Sequence, residues 1–274
     1  VEELNLVNVQ PDVKKLCVIG PEGSGKTHFI GTMPKPIYLF SFDGGYRTLA
    51  GVAGIQVGSF MDSDRYRPQA YAQFKLKFDE FKNGKMQYTW PDGRQESYKT
   101  VGFDSITALS KSLLDHEQAV NHTIDKPGGF GVWGNVKSKL SDVVCQSALL
   151  AEYAVFTAQI ESEKDDLTGE VFFKPSTEGS FRNEMGQWVD AVFFMKVDKD
   201  LQGNKSYVML TVGDIRQKAK IRLPSRLGNA IEAVEVPDFE VLTRKINANK
   251  GTDASPKPGT TVGVSPVPLT EGAK

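Results

Sequence analysis

The chain has 274 residues, 39% hydrophobic and 24% charged, enough for one large α/β domain or two small ones. A net charge of −1 excludes a constitutively basic nucleic-acid binder, and no apolar run nears the ~20 residues of a membrane helix. The opening Val1-Glu2-Glu3 lacks the basic and apolar regions expected of a signal peptide, Cys17 and Cys145 read as reduced, buried thiols of a cytoplasmic protein, and three scattered histidines argue against zinc.

In chain order, residues 1–13 hold one candidate edge strand, Leu4 to Val9. Lys15–Ile19 is an apolar strand. It is followed by Gly20-Pro21-Glu22-Gly23-Ser24-Gly25-Lys26-Thr27, the spacing G-x-x-x-x-G-K-T, directly ahead of a helix expected near His28. Strand, glycine loop and helix in that order form a phosphate cradle. Glycines let the backbone wrap closely, so that N–H groups from Gly23 to Thr27 point inward, and the helix start adds its positive dipole end. Lys26 is placed to reach the β- and γ-phosphates, and the Thr27 hydroxyl to ligate Mg²⁺. The expected cofactors are therefore ATP and Mg²⁺.

Ile37 to Phe42 reads as a second buried strand ending at Asp43-Gly44-Gly45, at the carboxyl end of the sheet where ligands collect. Asp43 is a candidate general base for an attacking water or, equally, a turn residue. Tyr71, Phe74, Phe78 and Phe81 recur at helical spacing and predict a core-facing helix within 67–82. Pro91-Asp92-Gly93 predicts a small hairpin, Gln87–Trp90 with Glu96–Thr100. A strand then ends in Phe103-Asp104-Ser105, so Asp104 is a candidate metal-side carboxylate or the N-cap of a helix over 106–120.

Residues 121–136 carry Pro127 and four glycines around Phe130 and Trp133, a loop suited to base stacking or merely pinned by its aromatics. A helix from Val136 to Ala151 and a strand from Tyr153 to Gln159 follow. Residues 160–186 read as a polar loop, strands resume at Val189–Val197 and Tyr207–Val212, and a short helix (Leu227–Val234) and an apolar segment (Phe239–Leu242) close the core. Strands alternating with helices predict an α/β fold: a mostly parallel sheet flanked by helices, with antiparallel strands at its C-terminal edge. The expected core is 1–243. Residues 244–274 hold five Lys/Arg against two acids, leaving the core at −4, and their Gly/Pro/Ser/Thr bias predicts a disordered tail.

Four segments in this order resemble the RecA recombinases: the loop Gly20 to Thr27 with its Pro-Glu, Val101 to Leu109 (VGFDSITAL), Phe156 to Ile160 (FTAQI), and Lys218-Ala219-Lys220-Ile221 ahead of Pro224. The resemblance spans residues 15–224 and implies a P-loop NTPase with a RecA-like core. It implies Gln159 as the sensor of the γ-phosphate, and Lys218 and Lys220 as cations reaching a neighbour's ATP, catalytic together with Lys26 and Asp43. It also implies DNA contacts at Phe130 and Trp133 and at Phe172, Phe173, Lys174 and Arg182. Asp43 stands where the family has Glu, Gly102 replaces a β-branched residue, and the second DNA loop opens on Glu161, Glu163, Asp165 and Asp166. With only 19 residues before the first motif and no evident C-terminal domain, the chain is similar to core-only RecA-like annealing proteins of bacteriophages.

The expected activity is a DNA-stimulated ATPase for annealing or strand exchange, assembled head-to-tail as a ring or filament. Its expected partners are single-stranded DNA, further copies of itself and a single-strand-binding protein, in the host cytoplasm and without a membrane. The alternatives are a helicase-like or loader-type ATPase, a small-molecule kinase, for which no compact Arg-bearing lid is evident, and a binding module switched by ATP.

Overall fold

A computed structural model describes residues 12–250, except 85, 125–128, 167, 215, 225–226 and 228–229. The candidate strand at Leu4 to Val9 lies outside the described residues.

Among the described residues six strands run parallel: β1 (Lys15–Ile19), β2 (Ile37–Ser41), β3 (Ile55–Ser59), β6 (Thr100–Asp104), β7 (Tyr153–Ala158) and β10 (Ala191–Lys199). They pair in the order β10-β1-β7-β6-β2-β3. Beyond β10 the sheet turns antiparallel through β11 (Lys205–Leu210), β12 (Lys220–Ile221) and β13 (Val234–Glu235). This is the predicted mostly parallel sheet with an antiparallel C-terminal edge, the RecA-like P-loop fold. Two hairpins stand apart: β4 (Gln87–Thr89) with β5 (Gln95–Ser97), and β8 (Ile160–Lys164) with β9 (Val171–Pro175).

The central strands β2 and β6 are buried at every position, mostly apolar until each ends in a polar residue, Ser41 and Asp104. One face packs on α2 (Ala70–Lys82), α3 (Ile106–Val120) and α4 (Phe130–Gln146); α2 contributes the predicted stripe Tyr71, Phe74, Phe78 and Phe81. The other packs on α1 (Lys26–Ile30) and α6 (Phe239–Lys250) through Phe29, Ile30, Phe239, Leu242 and Ile246. Between them, α5 (Phe181–Glu184) seats Phe181 in the first core.

Cross-strand register carries order to the sheet's end. Phe40, Phe103 and Phe156 are aligned across β2, β6 and β7. Their rings stack at 5.1 and 4.7 Å, each pair 13° from parallel. Each such contact contributes about 0.5–1.5 kcal/mol beyond burial. Side chains alternate along a strand, so the residues after the ladder, Ser41, Asp104 and Thr157, point to the opposite face, toward α1.

Several boundaries differ from expectation. The helix near His28 starts at Lys26, and residues 130–136 of the aromatic glycine segment form the first turns of α4, because Val132 and Val136 are buried. Residues 160–186 hold β8, β9 and α5 rather than a loop. Val234 belongs to edge strand β13, and the segment from Phe239 is helical through Lys250, since Ile246 extends its buried stripe. The expected boundary between residues 243 and 244 therefore falls inside α6, and residues 251–274 lie outside the described ones. Cys145 is exposed on α4 and Cys17 is buried; both are free.

Gly102 has a packing reason. A Cβ there would lie 2.9 Å from Leu39 Cδ1 and 3.1 Å from Ile30 Cγ2, so glycine lets α1 settle against β6. Gly102→Val should lower the unfolding free energy in urea titrations by about 1–3 kcal/mol, and Gly102→Ala by less. An unchanged midpoint and slope for the valine variant would contradict so close an approach.

Candidate active site

The loop after β1 folds as the glycine pattern demands. Gly23 (φ 71°) and Gly25 (φ 88°) are left-handed, a conformation glycine adopts without steric penalty. A Cβ on Gly20 would lie 2.3 Å from the Met195 carbonyl oxygen, so β10 crowds the loop's first residue. Buried Ser24 donates through Oγ to the Pro21 carbonyl at 2.8 Å and closes the turn. Lys26 Nζ donates to the carbonyls of Gly20 (2.9 Å) and Pro21 (2.7 Å), within reach of anything the loop encloses. The chamber around it is about 890 Å³ and is lined by Glu22 to His28, by Asp43, Asp104 and Gln159, and on its outer side by Tyr207 and Pro237.

Beside the loop, Thr27 Oγ1 donates to Asp104 Oδ2 at 2.8 Å, and Thr157 Oγ1 donates to Asp104 Oδ1. Asp104 is thus not the helix cap: Ser105 takes that place, accepting from Ala108 N at 3.2 Å. Ser105 Oγ also donates to Asp43 Oδ2 at 3.0 Å, and Gly45 N donates to Asp43 Oδ1 at 3.0 Å, so two fixed donors aim the Asp43 carboxylate. Sequence reading missed Thr157, Ser105 and Gly45. A Cβ on Gly45 would lie 3.0 Å from Asp104 Oδ2, 3.1 Å from Thr27 Oγ1 and 3.2 Å from Asp43 Oδ1, filling the space these oxygens share. A glycine-glycine step after a strand-terminal acid was the one available signal.

These oxygens fit Mg²⁺, a hard cation that takes one or two protein oxygens and completes its shell with phosphate and water. Among the described residues no group of three His, Cys, Asp or Glu could hold a metal by itself. Burial raises the Asp104 carboxyl above the ordinary range and outweighs the two threonine donors and the Lys26 charge; nearby Asp43 pushes it the same way. Burial likewise lowers the Lys26 ammonium, against the attraction of Asp104, Asp43 and Glu22. Burial is the largest cause of both shifts, and an Mg²⁺–triphosphate would place a cation beside Asp104 and anions beside Lys26.

A second chamber, about 630 Å³, shares Asp43, Ser105 and Gln159 with the first. Trp133 and Arg182 line it, together with Lys111 and Thr177, whose buried Oγ1 has no hydrogen-bond partner. Gln159 is anchored through its backbone: its N donates to Thr107 Oγ1 (3.0 Å), and its carbonyl accepts from Ser176 N (2.7 Å). It forms the wall between chambers.

The other predicted residues are distributed unevenly. Phe173 is not an open stacking platform, because its ring packs on Phe194 at 6.0 Å and its N–H donates to the Arg216 carbonyl at 2.9 Å. Phe172 is half-buried on β9, and Phe130 opens α4. Lys174 and Arg182 are ion-paired with Glu163 and Glu161. Lys218 and Lys220 do not line the phosphate chamber of their own chain. They border a separate cavity of about 460 Å³ with Arg182 and Arg222, and burial and Arg222 lower the Lys220 ammonium.

Asp104 generates a test with a definite sign. Its pKa is raised in the folded chain, so the folded state holds the extra proton and loses stability as pH rises from the ordinary carboxylate value through the raised one. Without nucleotide, wild type should fall relative to Asp104→Asn by roughly 1.4 kcal/mol per pH unit across that window, and stay lower above it. Thermal melts against pH would show this; parallel curves would mean that the carboxylate is not penalised by burial.

The sequence matches the AAA domain family over residues 13–223. No curated protein matches it in sequence. Among solved structures the chain is similar to an ATPase from the type III secretion system of pathogenic bacteria, at 13% identity and a TM-score of 0.42. That alignment covers 67% of this chain and 52% of the other, so the chain spans about half the length of the secretion ATPase. Among the described residues no helix is long and apolar enough to cross a membrane. With the phosphate loop, the buried Asp104 and the wall residue Gln159 all inside the matched span, the chain belongs to the AAA domain family and is a P-loop ATPase.

Proposed function

We propose that this ATPase is a RecA-like recombinase that grips single-stranded DNA under the control of ATP, assembling head-to-tail for annealing or strand exchange. The observation that carries the reading is the shared wall: Asp43, Ser105 and Gln159 border both the phosphate chamber and the chamber lined by Trp133 and Arg182. An aromatic ring and a guanidinium are the pair that binds single strands, the first by stacking on bases and the second by holding phosphate. Trp133 and Arg182 come from elements 49 residues apart in sequence, α4 and α5, and meet at one chamber.

On this reading the backbone N–H groups of Gly23 to Thr27 and the Lys26 ammonium hold the phosphates, while Thr27 Oγ1 and Asp104 hold Mg²⁺. The bound Mg²⁺–ATP supplies the scissile phosphoanhydride and the charge neutralisation its cleavage needs. Asp43, aimed by Ser105 and Gly45, orients a water and accepts its proton at a carboxylate oxygen. The Gln159 side chain reports on the phosphate end, and its backbone transmits movement to β8 and to Ser176. Lys218 is exposed, and with half-buried Lys220 it lies outside its own phosphate chamber, which supports a role toward the neighbour's nucleotide. A contact of that kind is heterologous and builds rings or filaments.

Hydrolysis should rise on adding single-stranded oligonucleotide and should vanish in Lys26→Ala. Lys218→Ala and Lys220→Ala should keep nucleotide affinity while losing ~10³-fold or more in turnover, the loss expected for a cation supplied in trans. ATP turnover unaffected by DNA, with no DNA affinity at low salt, would overturn the proposal. Unwinding of a tailed duplex without annealing would redirect it to a helicase-like ATPase.

A further inference from the structure

The hairpin beyond the Gln159 wall carries an arrangement that the ATPase site does not use. β8 starts directly after Gln159, and Glu161 and Glu163, two residues apart, project to one face of it. Glu161 is ion-paired with Arg182 on α5, and Glu163 with Lys174 on β9. Lys174 holds the Glu163 carboxyl below its ordinary range, and Arg182 and Lys218 lower it further. Arg182 from α5 and Lys174 from β9 therefore face two carboxylates of one strand, and the Lys218 charge acts on Glu163 as well. The hairpin is tied in turn to the residues preceding Lys218, since Phe173 N donates to the Arg216 carbonyl and Phe173 bridges Gln217.

Carboxylate and phosphodiester compete for the same donors of a guanidinium or ammonium, because both are anions that accept charge-assisted hydrogen bonds. Cations held in this way present little net charge to DNA, and the chain has no general positive field to compensate, its net charge being −1. The lever is at hand: the residue preceding β8 is Gln159, bordering the phosphate chamber and hydrogen-bonded through its backbone to Thr107 and Ser176.

We propose that Glu161 and Glu163 form an anionic latch that stands in for DNA phosphate on Arg182 and Lys174, and that nucleotide acting through Gln159 draws β8 away to uncover them. The inference rests on the single-stranded-DNA reading above and adds to it the means by which binding is made conditional on ATP. Half-exposed ion pairs contribute little to folding, so their removal leaves the fold intact.

The experiment compares wild type with Glu161→Gln/Glu163→Gln by fluorescence anisotropy on a labelled oligothymidine, at low salt, with and without Mg²⁺ and a non-hydrolysable ATP analogue. A control, Asp166→Asn/Glu170→Gln, removes the same charge from the turn of the same hairpin. Wild type should bind DNA tightly only with the analogue. The latch variant should bind about tenfold more tightly than wild type without nucleotide, the response expected when phosphate contacts become available, and should gain little from the analogue. The control should stay near wild type. Nucleotide-dependent binding by wild type with an unchanged latch variant would overturn the latch alone, as would an equal gain in the control. Failure of every form to bind DNA with the analogue would overturn the DNA reading and the latch with it.

Discussion

A carboxylate with 2% of its surface exposed, at the end of a central strand, sets the terms for the rest of this protein. Asp104 is compensated by Thr27 on the phosphate-loop helix, by Thr157 on the neighbouring strand and by the field of Lys26, and these fall short of what burial costs it. A buried charge left partly uncompensated is tolerated where function uses it. The loop, the metal-side acid and the sheet are thereby coupled: α1 cannot shift without disturbing the Thr27 bond, and β7 cannot shift without disturbing Thr157. The stacked rings of Phe40, Phe103 and Phe156 hold the register beneath, one residue before the polar row.

The glycines around this acid are permissions for close approach. Gly20 admits the backbone of β10, Gly102 admits Leu39 and Ile30, and Gly45 leaves open the space among three oxygens. Each marks a point where a side chain would displace either the core or the ligand. Alternation along the strands then separates labour: one face of β2, β6 and β7 builds the aromatic core, and the other delivers Ser41, Asp104 and Thr157 toward the phosphate loop. The two chambers share few residues, Asp43, Ser105 and Gln159, and Gln159 is held between them by its backbone.

The predicted DNA-facing segment is the part most changed by folding. Read as composition, its acids make it a poor phosphate surface. In the folded chain two of those acids, Glu163 and Glu161, are partners of Lys174 and Arg182, and Phe173 is spent on packing against Phe194. Trp133, on the first turns of α4, lines the chamber while the neighbouring apolar positions Val132 and Val136 are buried. The basic pair Lys218 and Lys220 sits away from its own nucleotide chamber and borders a separate cavity with Arg182 and Arg222.

What the sequence by itself determined is what depends on near neighbours in the chain. The phosphate loop follows from glycine spacing between a strand and a helix, the α2 stripe from helical period, and the sheet from apolar runs ending in acids. Only the tertiary structure decided the relations among distant residues: Thr27 with Asp104, 77 positions apart, Thr157 with Asp104, 53 apart, and Arg182 with Glu161, 21 apart. Strand order brings β6 and β7 together, and helix packing turns α4 and α5 toward one chamber. Local pattern states which groups are available. Which of them meet, and whether a charge is exposed, buried or already paired, is settled by packing that no short window of sequence contains.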